Sequence, residues 1–465
     1  MTRSRLSRGL VTLFAASVVV GLGLVAGPRM ATAAAEGKPA PEYIQLSGAA
    51  KAALHRPDPG LFPDANTVVI GIHRDGNWLS NATTKNLSDR GFFVIGVNPR
   101  SDNNEAKAAP WENNALDLAQ AVRYARAMPG VEHVVLYGAS GGGPTTTFYQ
   151  AVAENGSAYC KDPQRLVKCE GSGFDNFPPV DGIITQDSHP GNTINSVRSI
   201  SGGVRNDKKL LNRYDTDPMV DRKLDPFNPA NGYAEDGNTH YSQAFIDAYS
   251  KAQSGRMNKL IDEAEKLLAK AEAKGDDDAP FVMPMMDNAR LPQIDLGIDH
   301  STVKPAKLLK DDGTIEDRYP VESVRVQSLE PGDESGFSST MMLTAKSFLS
   351  VRAIRSTNSL DGIEWCTSNN SVMCALQSVH VPLLVTAMGG HYFVRDAEQF
   401  YDMAASQDKD FYVIEGATHG GTGCTACSAV TGQSYANAQK NMYNLMANWL
   451  NERFAKKPAT PATHP

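Results

Sequence analysis

Val134-Val135-Leu136-Tyr137-Gly138-Ala139-Ser140-Gly141-Gly142-Gly143 is an apolar, β-branched run that ends in a serine set among glycines. A serine in Gly-x-Ser-x-Gly, placed between a strand and a helix, sits on a tight turn that exposes its hydroxyl. The turn strains the serine backbone, so the residues two before and two after it must be small. Gly138 and Gly142 meet that demand. The backbone N–H of Gly141 then points to the place where an oxyanion would form. The chemistry implied is acyl transfer. A serine hydroxyl is a poor nucleophile at neutral pH, so a base must take its proton during attack.

The elements that would position such a group are legible around it. Thr67-Val68-Val69-Ile70-Gly71-Ile72 and Phe92-Phe93-Val94-Ile95-Gly96-Val97 are short apolar runs, predicted as buried strands. Helices are predicted over 82–90, over 116–128 with Pro129-Gly130 as its stop, and over 144–154. Pro144 sits near a helix start, where a missing N–H costs little. Val180 to Gln186 is a further strand that ends in Asp187. Strands at 381–387 and 411–414 follow much later, with a helix at 397–406 between them. A last helix carries Met442, Leu445, Met446, Trp449, Leu450 and Phe454 on one face. Strands separated by helices predict a mostly parallel, doubly wound α/β sheet covered on both faces. Ligands in such sheets bind beyond the carboxyl ends of the strands. Ser140, Asp187, His73 and His419 all follow strand ends, so they should converge on one edge.

Between about 191 and 379 the alternation stops. That stretch holds one long helical pattern, with Phe245, Tyr249 and Ala252 before Gly255 and Met257 to Ala271 after it; a break is expected at the glycine. Gly275-Asp276-Asp277-Asp278 reads as a solvated helix end, because no EF-hand spacing surrounds it. No internal repeat is found.

Bulk properties narrow the class. Arg3, Arg5 and Arg8 precede an uncharged apolar run from Leu10 to Ala26, and Ala31-Thr32-Ala33 and Ala33-Ala34-Ala35 offer small-x-small cleavage sites. Residues 1–35 therefore read as an export signal, and the mature protein is expected to be secreted. No other long apolar run suggests membrane insertion. The formal net charge is −7, with acidic and basic residues interspersed. Nothing resembles a basic footprint for nucleic acid or for an anionic membrane. The chain has six cysteines, Cys160, Cys169, Cys366, Cys374, Cys424 and Cys427. An even count in an exported chain reads as disulfides, with fifteen possible pairings. The sequence-local pairing is expected: Cys160 with Cys169, Cys366 with Cys374, and Cys424 with Cys427, each pinning a surface loop. Cys424-x-x-Cys427 lacks a thioredoxin-like setting and the second half of a zinc ribbon. No metal or cofactor is expected.

With these parts, the chain resembles an α/β-hydrolase over about 66–187 and 381–454. The resemblance implies a core built from 36–190 and 380–455 and a cap or lid insertion at 191–379; the Pro/Ala/Thr-rich tail at 456–465 reads as disordered from its composition. It implies the order nucleophile, acid, histidine. Ser140 is then the nucleophile, and His419, in Val413-Ile414-Glu415-Gly416-Ala417-Thr418-His419-Gly420, the general base. Many members carry the acid after the strand equivalent to 381–387, but the residue near that position is His391. Asp396 comes several residues later and could serve as a helix cap. Some lipase-like members take the acid from the end of the preceding strand, which Asp187 matches. Asp187 is preferred and Asp396 is the alternative; either would hold the imidazole tautomer. The second oxyanion donor is expected in the turn His73-Arg74-Asp75-Gly76, from the backbone of Arg74 or Asp75, alongside Gly141. A Cys424–Cys427 disulfide could brace the His419 loop.

The resulting expectation is a secreted serine hydrolase that cleaves a small-molecule or polymeric carboxylic ester through an acyl-enzyme. Amide or peptide hydrolysis by the same three residues is a second reading, since fold alone does not decide. A non-catalytic binding protein on the same scaffold is a third, kept open by the missing acid near His391. A dehalogenase is disfavoured because the elbow carries serine. Oligomeric state has no signature here.

Overall fold

The structure, a computed structural model, describes residues 37–73, 76–100, 110–207, 220–283, 290–327 and 341–456. The export segment expected at 1–35, the oxyanion candidates Arg74 and Asp75, and residues 457–465 of the expected tail lie outside the described residues.

The strands in chain order are β1 (Glu42–Gln45), β2 (Lys51–His55), β3 (Thr67–Ile72), β4 (Phe93–Asn98), β5 (His133–Ala139), β6 (Gly182–Gln186), β7 (Pro280–Met283), β8 (Ala306–Leu309), β9 (Ile315–Arg318), β10 (Met341–Thr344), β11 (Leu383–Met388) and β12 (Lys409–Ile414). Ten of them form one sheet in the order β1-β2-β4-β3-β5-β6-β11-β12-β8-β9. From β4 to β8 every neighbour pair is parallel. β1–β2, β2–β4 and β8–β9 are antiparallel. β7 and β10 pair separately as a two-stranded antiparallel ribbon.

β3, β6 and β11 are buried at every position. That is why they read as continuous apolar runs: helices cover both faces, so neither face needs polar side chains. One face carries the helices Asn113–Ala127, Gly142–Asn155 and Val394–Met403, with Leu118, Val122, Phe148 and Phe400 in a large apolar cluster. The other carries Ala82–Ser88 and Ala438–Phe454, with Leu87, Met442, Met446 and Leu450 in a second cluster. Asn81 caps the first of these helices by accepting from the Thr83 N–H.

The segment 191–379 also contributes to the sheet itself. β8 lies parallel to the outer edge of β12, with Tyr412 opposite Lys307 and Ile414 opposite Leu309, and β9 closes the edge. An unpaired β12 edge would leave a row of backbone groups exposed. The helix Gln243–Glu272 runs without the break expected at Gly255. A glycine costs a helix about 1 kcal/mol, and the buried neighbours Gln253, Ser254, Arg256 and Met257 hold both halves against the protein.

All three expected disulfides are present, Cys160–Cys169, Cys366–Cys374 and Cys424–Cys427. They are less superficial than expected, since Cys160 and Cys169 belong to the main apolar cluster. Arg165, inside the first loop, donates to the carbonyls of Cys366 and Ser368 at 2.8 and 2.9 Å and so ties the first two loops together.

The turn after β3 is clamped onto the sheet by Trp78, which is almost wholly buried. Gly71 and Gly96 are register partners on β3 and β4, and both face this residue. A Cβ on Gly96 would lie 1.9 Å from the Trp78 carbonyl oxygen, and one on Gly71 would lie 2.4 Å from its ring. Gly96→Ala is therefore expected to push the turn outward. Overpacking of this kind costs about 1–3 kcal/mol, to be read as a lower Tm; a Tm equal to that of the wild type would contradict the clamp.

Candidate active site

β5 ends at Ala139, and Ser140 adopts φ 49°. Among the described residues, positive φ outside glycine occurs only at Ser140, Asp187 and Asp299. Such backbone costs about 1–3 kcal/mol and persists where the surroundings enforce it. Here they do. A Cβ on Gly138 would lie 2.5 Å from Thr146 Oγ1 and 2.6 Å from Gly143 Cα. A Cβ on Gly142 would lie 2.3 Å from the Ile72 carbonyl oxygen. The helix Gly142–Asn155 starts immediately, with Gly141 as its N-cap. Its first N–H groups have no partner within the helix and carry partial positive charge.

Asp187 follows β6 just as Ser140 follows β5. The ladder locks the two turns together: Ser140 N–H donates to the Gln186 carbonyl (3.2 Å), and Asp187 N–H donates to the Thr386 carbonyl (2.7 Å). The Asp187 side chain has no exposure to solvent. Its Oδ1 accepts from the Met388 N–H at 3.0 Å, and its Oδ2 accepts from His419 Nδ1 at 2.7 Å. His391 Nδ1 lies 2.7 Å from the same Oδ2, off the line of a hydrogen bond. The two imidazoles are 4.5 Å apart, centroid to centroid. Burial pushes the carboxyl upward, but His391 and then His419 outweigh it and hold the group at about 2. Burial pulls His419 down, and the hydrogen bond and charge of Asp187 outweigh that, so its affinity for a proton is raised.

His419 sits on a closed loop. Thr418 N–H donates to Thr422 O and Gly421 N–H to Thr418 O, both at 2.7 Å, and the Cys424–Cys427 disulfide follows at once. Asp396 is elsewhere. It lies in the first turn of the helix Val394–Met403 and accepts from Arg198 at 2.6 Å. The acid that reaches the imidazole is thus Asp187.

Two further histidines border the elbow. A Cβ on Gly141 would lie 3.0 Å from His73 Nε2 and 3.1 Å from His189 Nε2. Burial drives His189 well below the ordinary histidine range, and the charges of His73, Arg290, His419 and Arg352 add to this. His189 escaped the sequence reading, although Ser188-His189 directly follows Asp187. His391 was placed in the right loop, but its residue type hid its contact with the carboxylate.

Asp187, His391 and His419 also bring one ligand atom each to within 4.8 Å of one another, a set that could hold a metal ion. The His419 Nδ1 of this set is hydrogen-bonded to Asp187. Two cavities of about 710 and 870 Å³ lie away from this cluster. The first is lined by Phe62, Arg90 and Phe92, the second by Arg198, Tyr241 and Asp299.

The Asp187–His419 pair has a measurable consequence. A base whose charged form is stabilised stays protonated to higher pH. In histidine NMR titrations His419 should lose its proton above pH 6.5, the ordinary value. In Asp187→Asn the support is gone while burial remains, so its midpoint should fall below that of the wild type. Equal midpoints in the two proteins would contradict the coupling.

No family model matches the sequence, and no curated protein does. Among solved structures, a hypothetical protein of Pseudomonas aeruginosa is similar at 12% identity and a TM-score of 0.41, over 90% of this chain and 95% of that one. Est1E from Butyrivibrio proteoclasticus is similar at 11% identity and a TM-score of 0.39, over 90% and 99%. A proline iminopeptidase of Mycobacterium smegmatis is similar at 13% identity and a TM-score of 0.36, over 89% and 98%. On its own sheet order, its antiparallel β2 and the strained serine that follows β5, the chain has the α/β-hydrolase fold.

Proposed function

We propose that this protein is a secreted serine hydrolase that cleaves carboxylic esters through an acyl-enzyme. The observation that carries the reading is the strained turn of Ser140, one ladder bond from the turn of Asp187, whose buried carboxylate holds His419. In the first step Ser140 Oγ bonds to the carbonyl carbon, its proton passes to His419 Nε2, and the carbonyl π pair moves onto oxygen. The oxyanion collapses, the C–O bond of the alcohol breaks, and His419 returns the proton to the leaving oxygen. Water then repeats the sequence on the acyl-enzyme and releases the acid. Asp187 keeps the Nδ1 proton of His419 in place and offsets the charge of the imidazolium.

The parts of 191–379 outside β8 and β9 are proposed to cover the carboxyl edge and shape the acyl or alcohol pocket. Export is supported by the signal-like sequence at 1–35 and by three disulfides. Among the described residues no helix is long and apolar enough to cross a membrane.

A fluorophosphonate probe should label the folded wild-type protein, and Ser140→Ala should abolish the labelling. Wild-type protein should also turn over 4-nitrophenyl esters faster than the matching 4-nitroanilides. A folded wild type that takes up no probe would overturn the hydrolase reading. Faster anilide turnover would move the assignment to amide hydrolysis.

A further inference from the structure

We propose that His189 donates its Nε2–H to the oxyanion formed on the substrate at Ser140, as a side-chain donor beside Gly141. The proposal rests on the hydrolase reading and names a group that stabilises its transition state.

The placement follows from the strand order. β5 carries Ser140 at its end, and its two neighbours in the sheet are β3 and β6. His73 is the first residue after β3, and His189 comes three residues after the end of β6. One imidazole therefore stands on each side of the nucleophile's strand. Their Nε2 atoms are the two nearest atoms to the bare Cα face of Gly141, the first residue after the nucleophile.

The proton positions follow from the backbone. The Gly76 N–H donates to His73 Nδ1 at 2.9 Å, and the Gly191 N–H donates to His189 Nδ1 at 3.1 Å. An Nδ1 that accepts a hydrogen bond holds a lone pair, so a neutral imidazole must carry its proton on Nε2. Both rings are thus set with a donor turned towards Gly141. His189 is buried, with 7% of its surface exposed, and its Nδ1 is taken up by the Gly191 N–H. It can donate without competing with His419 for the serine proton.

Fixed donors aimed at developing charge in a water-poor site are worth far more than in water. Loss of one such donor typically lowers kcat about a hundred- to a thousandfold.

The test uses His189→Leu, which removes the donor, and His189→Gln, whose amide can place an N–H near the same point. Kinetics on a nitrophenyl ester, inhibition by a trifluoromethyl ketone analogue of that ester, and Tm are measured for both. His189→Leu should lower kcat by about a hundredfold or more, with KM changed far less, and should weaken the ketone by a similar factor. His189→Gln should recover at least tenfold of both losses. A purely structural histidine would lower Tm and raise KM without this parallel loss. Unchanged kcat in His189→Leu would overturn the proposal while leaving the hydrolase reading intact, as would a glutamine no better than leucine. Failure of the wild type to react with fluorophosphonate at Ser140 would overturn both.

Discussion

Asp187 carries a carboxylate that has no contact with solvent, and the arrangement of the candidate site follows from how that charge is satisfied. A buried, ionised carboxyl is tolerated only where donors and positive charge surround it. The Met388 N–H binds one oxygen, and His419 and His391 crowd the other. This fixes the His419 ring by its Nδ1; in the proposed reaction Nε2 is the nitrogen that takes the serine proton. It also ties three loops, those after β6, β11 and β12, to a single carboxyl group. Asp187 itself is held in a strained backbone conformation, so the ladder beneath it must be rigid enough to enforce that geometry.

The sheet supplies the rigidity. Ser140 and Asp187 leave adjacent parallel strands at the same level, bridged by the hydrogen bond from Ser140 N–H to Gln186 O. Beneath them, the Tyr137 hydroxyl donates to the Gln186 side chain, and Thr83 links the Tyr137 and Tyr443 hydroxyls across the same face. On the far side of β5, Trp78 packs on the glycines of β3 and β4 and holds the turn that begins with His73. The site is therefore built from turns, and each turn is fixed by a contact one layer below it. That hierarchy explains why the crowding at Gly138, Gly142 and Gly96 matters more than the glycines' conformational freedom.

Much of the frame was legible because parallel strands covered on both faces must be apolar throughout. Val68–Ile72, Val94–Val97, Val134–Tyr137 and Leu383–Ala387 announce themselves this way. The Ser140 elbow was equally plain, since its glycines leave a fixed pattern. The short β1 and β2 were not legible: Lys51-Ala52-Ala53-Leu54-His55 has no periodicity that separates a strand from a loop. β9 is exposed along its whole length, so its membership of the sheet is decided by pairing with β8 rather than by burial. His189 and His391 lay beyond sequence reasoning for a related reason. A single histidine in a loop has no periodic signature, and its role depends on which other loop it meets. Arg74 and Asp75 were named as backbone donors from the position of their turn, whereas the side chain that begins this turn, His73, is the group found facing Gly141.

The most direct measurement is a crystal structure of the protein after reaction with a small fluorophosphonate. The account predicts phosphorus bonded to Ser140 Oγ, His419 Nε2 within about 3 Å of an oxygen on phosphorus, and the Nδ1 of the same ring still on Asp187. An adduct on another residue, or a His419 ring beyond reach of the modified serine, would contradict it.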